Sequence, residues 1–596
     1  MLYKQYDFIA TRSAARRAIL AARDAETCAL DFETTSLSPA DGRVRTVNLC
    51  CPAVRCVIDF DKVGGFSRYA KLFEGGSWIV FNSTFEGRWF QACGVTPALL
   101  DVGHLRRAVM GGGRFSLATM ALWDLEVTMV KEEQGGDWSR PVLTQAQLDY
   151  AFFDGAVTWG LWRHWCQRAE AGHWGAFKLL NDMWPAVIEM EDAGIMLDKE
   201  HHNKLIVGWE RDKVKRVAGL RKYVSDEEVP NINSDQQWSD YLSALLPDTF
   251  LQGWERTPKS GHLSMRKEII RNIAAHVAGT PLAEVLYCLA DYKFVTKYLS
   301  SFGQPLLHAA ARGGGAIRAR FNDGAAKTLR FSSSSPNVQQ IPRDHEHDGQ
   351  FVSVRKSFKA RLGRSLVSLD YSGIELRVLA LLAGDDALLE AVVNGDVHSD
   401  VGADMAGRKL NLKSRADKEL RSKAKPVSFG IIYGIGAPGL AGSMRVSIPE
   451  AQAYIDKWES RYPQAFGLRH TMLGHGRRTG YLPMIDGGTI YVGKKVEMPK
   501  AANYPVQRAA WSVMAAAITR HKNTLDAERA SKRQRLTQIL ATIHDAMIDE
   551  ASKADASRCL KLLEQDMVAG FTDIFPDAST ANLVEGGIGP NWSDLA

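Results

Sequence analysis

The sequence has little that would suit a membrane or an oxidising compartment. Its 596 residues contain no run of eighteen or more apolar residues, and the N-terminus lacks the apolar core of a signal peptide. The eight cysteines are scattered, without the paired spacing of a zinc site or a disulfide framework. These absences exclude membrane-spanning and disulfide-stabilised classes, and they predict a reduced, cytoplasmic setting without a membrane partner.

The bulk composition excludes fewer classes of protein. A chain of 596 residues exceeds what one core supports, so several domains are expected. Residues are 45% hydrophobic and 24% charged, and the net charge is +6. This mild basicity is compatible with nucleic acid, although many proteins that bind none have the same balance.

One stretch combines cations and aromatic rings at helical spacing. Arg421, Lys425, Phe429 and Tyr433 recur every four residues, which predicts one row along a helix face. Such a row can hold a phosphate chain at one end and a flat base at the other. An ordinary apolar stripe with a solvated basic end is the alternative. Pro426 predicts either a kink or a new helical start at this point.

The second half of the chain also carries two aspartates on apolar runs. Leu366–Leu369 reads as a strand that ends in Asp370, followed by a turn and a helix. Asp545 lies in the middle of a second apolar run, which predicts a carboxylate on a strand. Two aspartates on two strands can hold two Mg²⁺ ions, one at an attacking hydroxyl and one at a leaving pyrophosphate. Taken separately, each aspartate could be a strand-end cap.

The first 170 residues alternate between strand and helix patterns and contain three acidic segments. Asp31 and Glu33 are spaced for one face of a strand, and Tyr150 and Asp154 for one face of a helix. Glu86 lies between them. If these segments converge, they can bind two divalent ions and hydrolyse a phosphodiester. The alternative for Asp31 and Glu33 is a solvated strand edge.

The order of these motifs resembles the family-A DNA polymerases. The segments that begin at Asp370, span Arg421–Gly434 and contain His544-Asp545 resemble the family's three polymerase motifs in order. The acidic N-terminal set resembles its 3′–5′ proofreading exonuclease. The resemblance implies an α/β multidomain fold, with an RNase H-like exonuclease domain before a right-hand polymerase domain. The implied boundaries are 1–175 for the exonuclease and 176–596 for the polymerase, with the thumb at about 190–340, the palm at about 341–385 and 480–596, and the fingers at about 386–479.

The resemblance implies roles for the polymerase residues. Asp370 and Asp545 become the metal ligands of nucleotidyl transfer. In this resemblance, Arg421 and Lys425 clamp the triphosphate, and His398 is a further phosphate contact. Glu375 excludes a ribose 2′-OH, and the Tyr433 ring lies near the templating base. The resemblance also implies that Lys425 donates a proton to pyrophosphate. Phe429 lacks the hydroxyl that helps the family accept dideoxynucleotides, so discrimination against them is expected.

The same resemblance implies contacts with DNA. The expected DNA-binding residues are Arg330, Asn337, Gln340, Gln507 and His544. Arg330, Gln507 and His544 could test the minor-groove acceptors that all correct base pairs share. Gln340 departs from the family, which commonly has Asn at this position. Ala546 also departs, because a Glu usually follows the His-Asp pair.

In the exonuclease, the resemblance implies that Asp31, Glu33, Glu86 and Asp154 bind metal and that Tyr150 orients the attacking water. Glu86 stands where the family has Asp. The extra methylene shifts the carboxylate by about a bond length, and small misplacements can cost large rate factors. Exonuclease activity is nevertheless expected.

The predicted function is template-directed DNA synthesis from dNTPs with proofreading, in the manner of the phage-type replicative members that lack a 5′-nuclease domain. Expected cofactors are two Mg²⁺ ions per site, with Mn²⁺ as a substitute. Expected partners are primer–template DNA and dNTPs, in the host cytoplasm if the source is a phage. A processivity or helicase partner, and use of 2-aminoadenine, stay open. The alternatives are a polymerase with a weakened or inactive exonuclease, and a DNA-binding nuclease or non-catalytic protein without polymerase activity.

Overall fold

A computed structural model describes residues 5–129, 132–258, 260–347, 350–444, 446–531 and 537–595. The chain divides into two compact units. The first comprises Met1–Ala193, Phe321–Ser334 and Val367–Ile588, and the second comprises Gly194–Arg320, Ser335–Leu366 and Gly589–Ala596. In the described part of the chain, no helix has the length and apolarity that a membrane crossing requires.

The N-terminal part of the first unit is a six-stranded sheet flanked by helices. Its elements are β1 (Asp7–Ile9), α1 (Arg12–Arg23), β2 (Cys28–Thr34), β3 (Val44–Cys50), β4 (Arg55–Asp59), α2 (Phe60–Val63), β5 (Ser77–Val80), α3 (Ser83–Ala92), β6 (Ala98–Asp101), α4 (Val102–Met110), α5 (Leu117–Leu125), α6 (Gln145–Cys166), α7 (Ala171–Asn181) and α8 (Trp184–Ala193). The strand order is β1-β4-β3-β2-β5-β6. β3 runs antiparallel to β2 and β4, while β1–β4, β2–β5 and β5–β6 are parallel pairs.

Each face of this sheet has its own core, because successive residues of a strand point to opposite sides. On β2, Leu30 and Phe32 pack in a core with Ile19 of α1. Ala29 packs in the other core, with Leu161 of α6. Asp31 and Glu33 alternate with Leu30 and Phe32 and therefore share the side on which α6 packs.

The second unit is mainly helical. Its elements are β7 (Ile195–Leu197), α9 (Lys199–Leu220), α10 (Asp235–Leu245), α11 (Asp248–Gln252), α12 (Lys267–His276), α13 (Pro281–Phe302), α14 (Gln304–Arg312) and β8 (Ala316–Ile317), followed, after a return of the chain to the first unit, by β11 (His345–His347), β12 (Gln350–Val352) and β13 (Phe358–Lys359). β7 pairs antiparallel with both β13 and β8. Apolar residues of α10, α12 and α13, such as Trp238, Ile270 and Leu286, form its core.

Along the sequence, the paired strands β9 (Arg320–Asn322) and β10 (Ser332–Ser334) come after β8 and before β11. The rest of the first unit contains a four-stranded sheet and its helices: β14 (Arg364–Tyr371), α15 (Ile374–Ala383), α16 (Asp386–Val393), α17 (Val397–Ala406), α18 (Arg415–Ile432), α19 (Ala437–Met444), α20 (Ile448–Arg461), α21 (Pro463–Thr479), β15 (Tyr481–Pro483), β16 (Thr489–Tyr491), α22 (Met498–Ala530), β17 (Gln538–Ile543), β18 (Ala546–Ser552), α23 (Ala556–Ile574) and β19 (Val584–Gly589). The order in this sheet is β17-β18-β14-β19.

One expectation from the sequence is wrong in detail, and one of two alternatives is excluded. Asp545 does not lie within a strand, because β17 ends at Ile543 and β18 begins at Ala546. His544 and Asp545 form the turn of an antiparallel hairpin, in which Ile543 pairs with Ala546 and His544 has a φ of +56°. No new helix begins at Pro426, since α18 runs from Arg415 to Ile432 with Pro426 inside it.

Candidate active sites

The first candidate site lies on the N-terminal sheet, where three carboxylates meet. Asp31 and Glu33 project from β2, and Asp154 comes from α6, which packs on the same side. One oxygen from each of the three lies within 4.8 Å of the others. Strand alternation accounts for the pair on β2, but only the packing of α6 brings the third carboxylate to it.

The electrostatics of this site favour a bound cation. Burial raises the pKa of Asp31 well above its usual value, and the charge of Asp154 adds to the effect. Burial also raises the pKa of Glu33, with contributions from both neighbouring carboxylates. Carboxylate oxygens are the ligands that Mg²⁺ and Mn²⁺ prefer. The donor set therefore fits a divalent cation, whose charge would relieve the repulsion.

Asn48 and Gly155 support this site, and neither was identified from the sequence. Asn48 Nδ2 donates to Asp31 Oδ2 at 3.1 Å and to the Asp31 carbonyl at 3.2 Å. A Cβ on Gly155 would lie 1.6 Å from Asn48 Oδ1, so only glycine lets α6 approach β3 this closely. A glycine inside a helix, directly after a predicted ligand, was the available signal.

Tyr150 lies one turn before Asp154 on α6, as predicted. Burial, followed by the charge of Asp154, raises the pKa of its hydroxyl above the usual value. The ring of Trp138 lies 6.4 Å from the Tyr150 ring. The segment that carries Trp138 is held by the buried Arg45, which donates to the Arg140 carbonyl at 2.6 Å.

Glu86 lies in the first turn of α3 and is 1% exposed. Its Oε2 has no hydrogen-bond partner in the described part of the chain. Burial raises its pKa well above the usual value, with further effects from the charges of Asp31 and Asp101. Among the described residues, the group of oxygens within 4.8 Å does not include Glu86. Its role as a metal ligand stays a prediction.

The second candidate site is at the hairpin turn of the four-stranded sheet. Asp370 is the penultimate residue of β14, and Asp545 lies in the β17–β18 turn. The Tyr371 N–H donates to the Asp545 carbonyl at 3.1 Å, so the two aspartates belong to neighbouring backbone segments. Burial raises the pKa of Asp545, while the nearby Arg330 acts in the opposite direction. Carboxylates on two neighbouring segments are the kind of oxygen donors that a divalent cation prefers.

A network of side chains joins this turn to α15 and α18. Arg330 Nη2 lies 2.5 Å from Glu375 Oε1 and 3.7 Å from Asp545 Oδ1. The Tyr433 hydroxyl donates to Glu375 Oε2 at 2.9 Å. Burial and then the Glu375 charge raise the pKa of Tyr433 to about 12. Four residues predicted from separate motifs therefore lie in one connected group.

The row on α18 lies in one continuous helix, with Tyr433 as its C-terminal cap. Lys425 is exposed, and the Phe429 ring lies 5.6 Å from the ring of His398 on α17. Burial lowers the pKa of His398.

Gly434 has a φ of +69°, and a Cβ there would lie 2.8 Å from the Cα of Pro499. Glycine is thus required where α18 ends against α22.

Arg421 has a partner that the sequence did not reveal. Its Nε donates to Asp396 Oδ2 at 2.5 Å. Asp396 is also the N-cap of α17, since its Oδ1 accepts from the His398 N–H at 3.1 Å. Burial opposes ionisation of Asp396, but the hydrogen bonds from Arg421 and Ser399 outweigh it and lower the pKa to about 2. An aspartate two residues before a predicted phosphate contact was the available signal.

The predicted DNA-binding residues lie in both units. The Gln507 side chain of α22 accepts a hydrogen bond from the Thr328 hydroxyl at 3.1 Å. Thr328 lies two residues before Arg330. Arg330, Gln507 and His544 all belong to the first unit. Asn337 and Gln340 belong to the second unit. Asn337 caps a 3₁₀ turn, with its side chain accepting from the Gln339 N–H at 3.2 Å. Roles of these residues in binding DNA stay predictions.

Comparison with known families decides what kind of protein carries these sites. Residues 211–594 match the family described as DNA polymerase family A, and residues 6–164 match the family described as 3′–5′ exonuclease. The chain belongs to the family-A DNA polymerases. The predicted order of domains is confirmed in this family-A polymerase, with the exonuclease domain before the polymerase domain.

Several DNA polymerases I from bacteria are similar to this family-A polymerase. DNA polymerase I of Chloroflexus aurantiacus is 28% identical over 612 residues, covering 96% of this chain and 62% of the relative. The thermostable DNA polymerase I of Thermus aquaticus is 29% identical, with 78% and 53% covered. DNA polymerase I of Pseudomonas aeruginosa is 31% identical, with 75% and 47% covered. The chain thus spans about half to three-fifths of the length of these relatives.

A solved structure shares the fold of this family-A polymerase. It is described as the POL domain of Pol1 from M. smegmatis in complex with DNA primer-template and dNTP. It aligns over 98% of both chains with a TM-score of 0.76 and 20% sequence identity. The likeness confirms the mixed α/β polymerase fold.

Proposed function

We propose that this family-A polymerase catalyses template-directed DNA synthesis from dNTPs at Asp370 and Asp545. The observation that carries the proposal is the connected group of Arg330, Glu375 and Tyr433, which links the Asp545 turn to α18. Two Mg²⁺ ions, or Mn²⁺ ions, held by the aspartates would polarise the primer 3′-hydroxyl and neutralise pyrophosphate. The names of the curated relatives, DNA polymerase I, support this reaction.

The residues of α17 and α18 bind and orient the nucleotide in this proposal. Arg421, Lys425 and His398 hold the triphosphate, and Lys425 donates a proton to the leaving pyrophosphate. Glu375 packs against the sugar and excludes a ribose 2′-OH. Tyr433 lies beside the templating base, held by its hydrogen bond to Glu375. The neighbour's description, a complex with DNA primer-template and dNTP, supports these ligands.

In the same proposal, five side chains contact the DNA duplex. Arg330, Gln507 and His544 donate to minor-groove acceptors and thereby test the shape of each new pair. Asn337 and Gln340 contact the primer–template. The thumb, palm and fingers follow the boundaries given by the sequence, at about 190–340, 341–385 with 480–596, and 386–479.

The exonuclease domain removes mismatched 3′ ends in this proposal. Asp31, Glu33 and Asp154 hold the divalent ions, Glu86 assists them, and Tyr150 orients the attacking water. The three carboxylates within 4.8 Å support the ligand set. The biological setting that we propose is replication of a phage genome in the host cytoplasm.

Primer extension tests the polymerase activity. The wild-type chain, incubated with a primer–template, four dNTPs and Mg²⁺, should extend the primer, and chelation with EDTA should stop it. Asp545→Asn should abolish extension. Asp573→Asn is the matched control, because that exposed carboxylate pairs with Arg520 on the surface. A wild type that cannot extend, or an Asp545→Asn variant that extends normally, would refute the proposal.

Degradation of a 3′-labelled single strand without dNTPs tests the exonuclease. Asp31→Ala should abolish degradation while leaving primer extension intact, and Asp545→Asn should do the reverse. Equal slow loss in the wild type and Asp31→Ala would show that the exonuclease is inactive. Degradation without any extension would favour the alternative of a DNA-binding nuclease.

A further inference from the structure

Asp396 connects the two helices that carry the predicted phosphate contacts. Its Oδ1 accepts from the backbone N–H groups of His398 and Ser399, at 3.1 and 3.2 Å. Its Oδ2 accepts from the Ser399 hydroxyl at 2.8 Å and from Arg421 Nε at 2.5 Å. One oxygen therefore caps α17 and the other holds a side chain of α18.

The contact uses only part of the Arg421 guanidinium. In the described part of the chain, the pair with Asp396 is the one ion pair that Arg421 makes, and it is made through Nε. A guanidinium presents five N–H donors in a fixed fork, so the donors of Nη1 and Nη2 remain for an oxyanion. With Nε held, the orientation of these donors is set before a ligand arrives.

We propose that Asp396 is a positioning residue for the nucleotide triphosphate, which orients Arg421 and at the same time fixes the start of the helix that carries His398. The inference rests on the proposed function, because it assigns the triphosphate of a dNTP as the ligand of Arg421. Asp396 does not touch the nucleotide. It removes freedom from a long side chain that would otherwise have to be ordered when the nucleotide binds.

The opposite role, a carboxylate that competes with phosphate for Arg421, is less consistent with the geometry. A competing anion would need to leave when the triphosphate binds. Asp396 is instead held by three donors of α17 besides Arg421, so its release would uncap the helix. Burial opposes its charge, but these hydrogen bonds keep the pKa at about 2, and the carboxylate stays ionised at neutral pH.

Asp396→Asn separates the two tasks of the residue. Asn is as good an N-cap as Asp, so its side-chain oxygen can keep the bonds to the His398 and Ser399 N–H groups. The amide NH₂ then replaces the oxygen that faces Arg421, and it offers no acceptor to Nε. The amide can still pair with the Ser399 hydroxyl, which is able to accept as well as donate. The variant should therefore keep α17 and lose the hold on Arg421.

The decisive measurement is steady-state primer extension with a single dNTP. Asp396→Asn should raise the KM for the dNTP about five- to tenfold and leave kcat within about twofold, because the lost bond is charge-assisted but partly exposed to solvent. The Arg421 and Asp396 side chains are 33% and 30% exposed, which keeps the expected effect modest. In an Arg421→Ala background, Asp396→Asn should change the KM less than about twofold.

Asp404→Asn is the matched control. Asp404 is another carboxylate of α17 that pairs with an arginine, Arg461, at 2.6 Å. Loss of that pair should leave the KM unchanged if the effect of Asp396 is specific to Arg421. An unchanged or lowered KM in Asp396→Asn would overturn the inference. So would a change in KM caused by Asp396→Asn that is as large in the Arg421→Ala background as in the wild type.

A binding measurement distinguishes this inference from the proposed function. The dissociation constant of the dNTP is measured on the enzyme with a primer–template whose primer ends in a dideoxynucleotide. If the wild type binds no dNTP, the proposed function fails. If the wild type binds it and Asp396→Asn binds it equally well, only the role of Asp396 fails.

Discussion

Phe429 and Glu86 are two single residues whose chemical details set testable behaviour. Phe429 packs near His398 at the aromatic part of the α18 row, with ring centroids 5.6 Å apart. Glu86 is a buried carboxylate whose pKa is raised by burial and by the charges of Asp31 and Asp101, and the resemblance implies an Asp at this position. The two predictions below test what one added hydroxyl and one removed methylene do at these positions.

Phe429→Tyr should increase the use of dideoxynucleotides relative to deoxynucleotides. The added hydroxyl supplies a hydrogen bond worth up to about tenfold in the ratio of incorporation rates. Competition between ddNTP and dNTP in single-nucleotide extension measures this ratio. Phe8→Tyr, at an exposed phenylalanine, is the control. Equal incorporation of both substrates by the wild type would contradict the prediction.

Glu86→Asp should accelerate the exonuclease. The shorter side chain returns the carboxylate to the family's usual reach, and correct placement is expected to raise the rate by at least about tenfold. Single-turnover degradation of a 3′-labelled single strand measures the change. Glu74→Asp, at an exposed glutamate of the same domain, is the control. A rate equal to or below that of the wild type would show that Glu86 is already well placed.

At the scale of elements, α18 shows how far helical spacing can be trusted. The four-residue spacing correctly predicts that Arg421, Lys425 and Phe429 lie in one helix. It does not predict that the helix continues through Pro426, which has no N–H to donate to the Ser422 carbonyl. Packing of the apolar face, with Ala424, Val427 and Ile431 buried, keeps the helix intact. Whether α18 is kinked stays a hypothesis.

Pro426→Ala should change the rate at which the fingers close on a nucleotide. Alanine restores the missing donor and removes the clash of the proline ring, which costs about 3 kcal/mol inside a helix. A stiffer helix without this weak point is expected to alter the closing step in stopped-flow experiments. Pro438→Ala is the control, since Pro438 lies in the first turn of α19, where no donor is needed. Unchanged closing kinetics would count against a hinge at Pro426.

At the scale of the whole molecule, a buried histidine and two carboxylates join the four-stranded sheet to two helices. His521 of α22 lies between Asp549 of β18, at 2.6 Å, and Asp566 of α23, at 2.8 Å. Burial opposes the charge on His521, but the two carboxylates raise its pKa to about 9. Asp549, close to the predicted metal ligand Asp545 in sequence, is thus a partner of His521 and joins the strand to two helices.

This pairing predicts that stability depends on pH. A pKa raised from 6.5 to about 9 contributes about 3 kcal/mol, which is present in full below about pH 6.5 and is lost as pH rises through 9. His521→Gln should therefore lower the unfolding temperature most at pH 6 and less at pH 10. His470→Gln, at an exposed histidine, is the control. A difference that does not shrink with rising pH would contradict a charged His521.

Much of the fold and site could be predicted from the sequence, because the deciding residues are close together along the chain. Asp31 with Glu33, and Tyr150 with Asp154, share a face by the periodicity of strand and helix alone. The order of the motifs indicated both domains. The turn at His544-Asp545 was missed because an apolar run on both sides of two polar residues also fits a continuous strand.

By itself, the sequence determined the family, the order of the domains and the residues of each local motif, since these depend on residue type and short spacing. Only the tertiary structure decided that Asp154 joins Asp31 and Glu33, that Asp396 holds Arg421, and that His521 lies between two aspartates. These partners are 25 or more residues apart in the chain, and their meeting depends on how helices pack on sheets. Periodicity carries no information about such packing, because it acts only along one element.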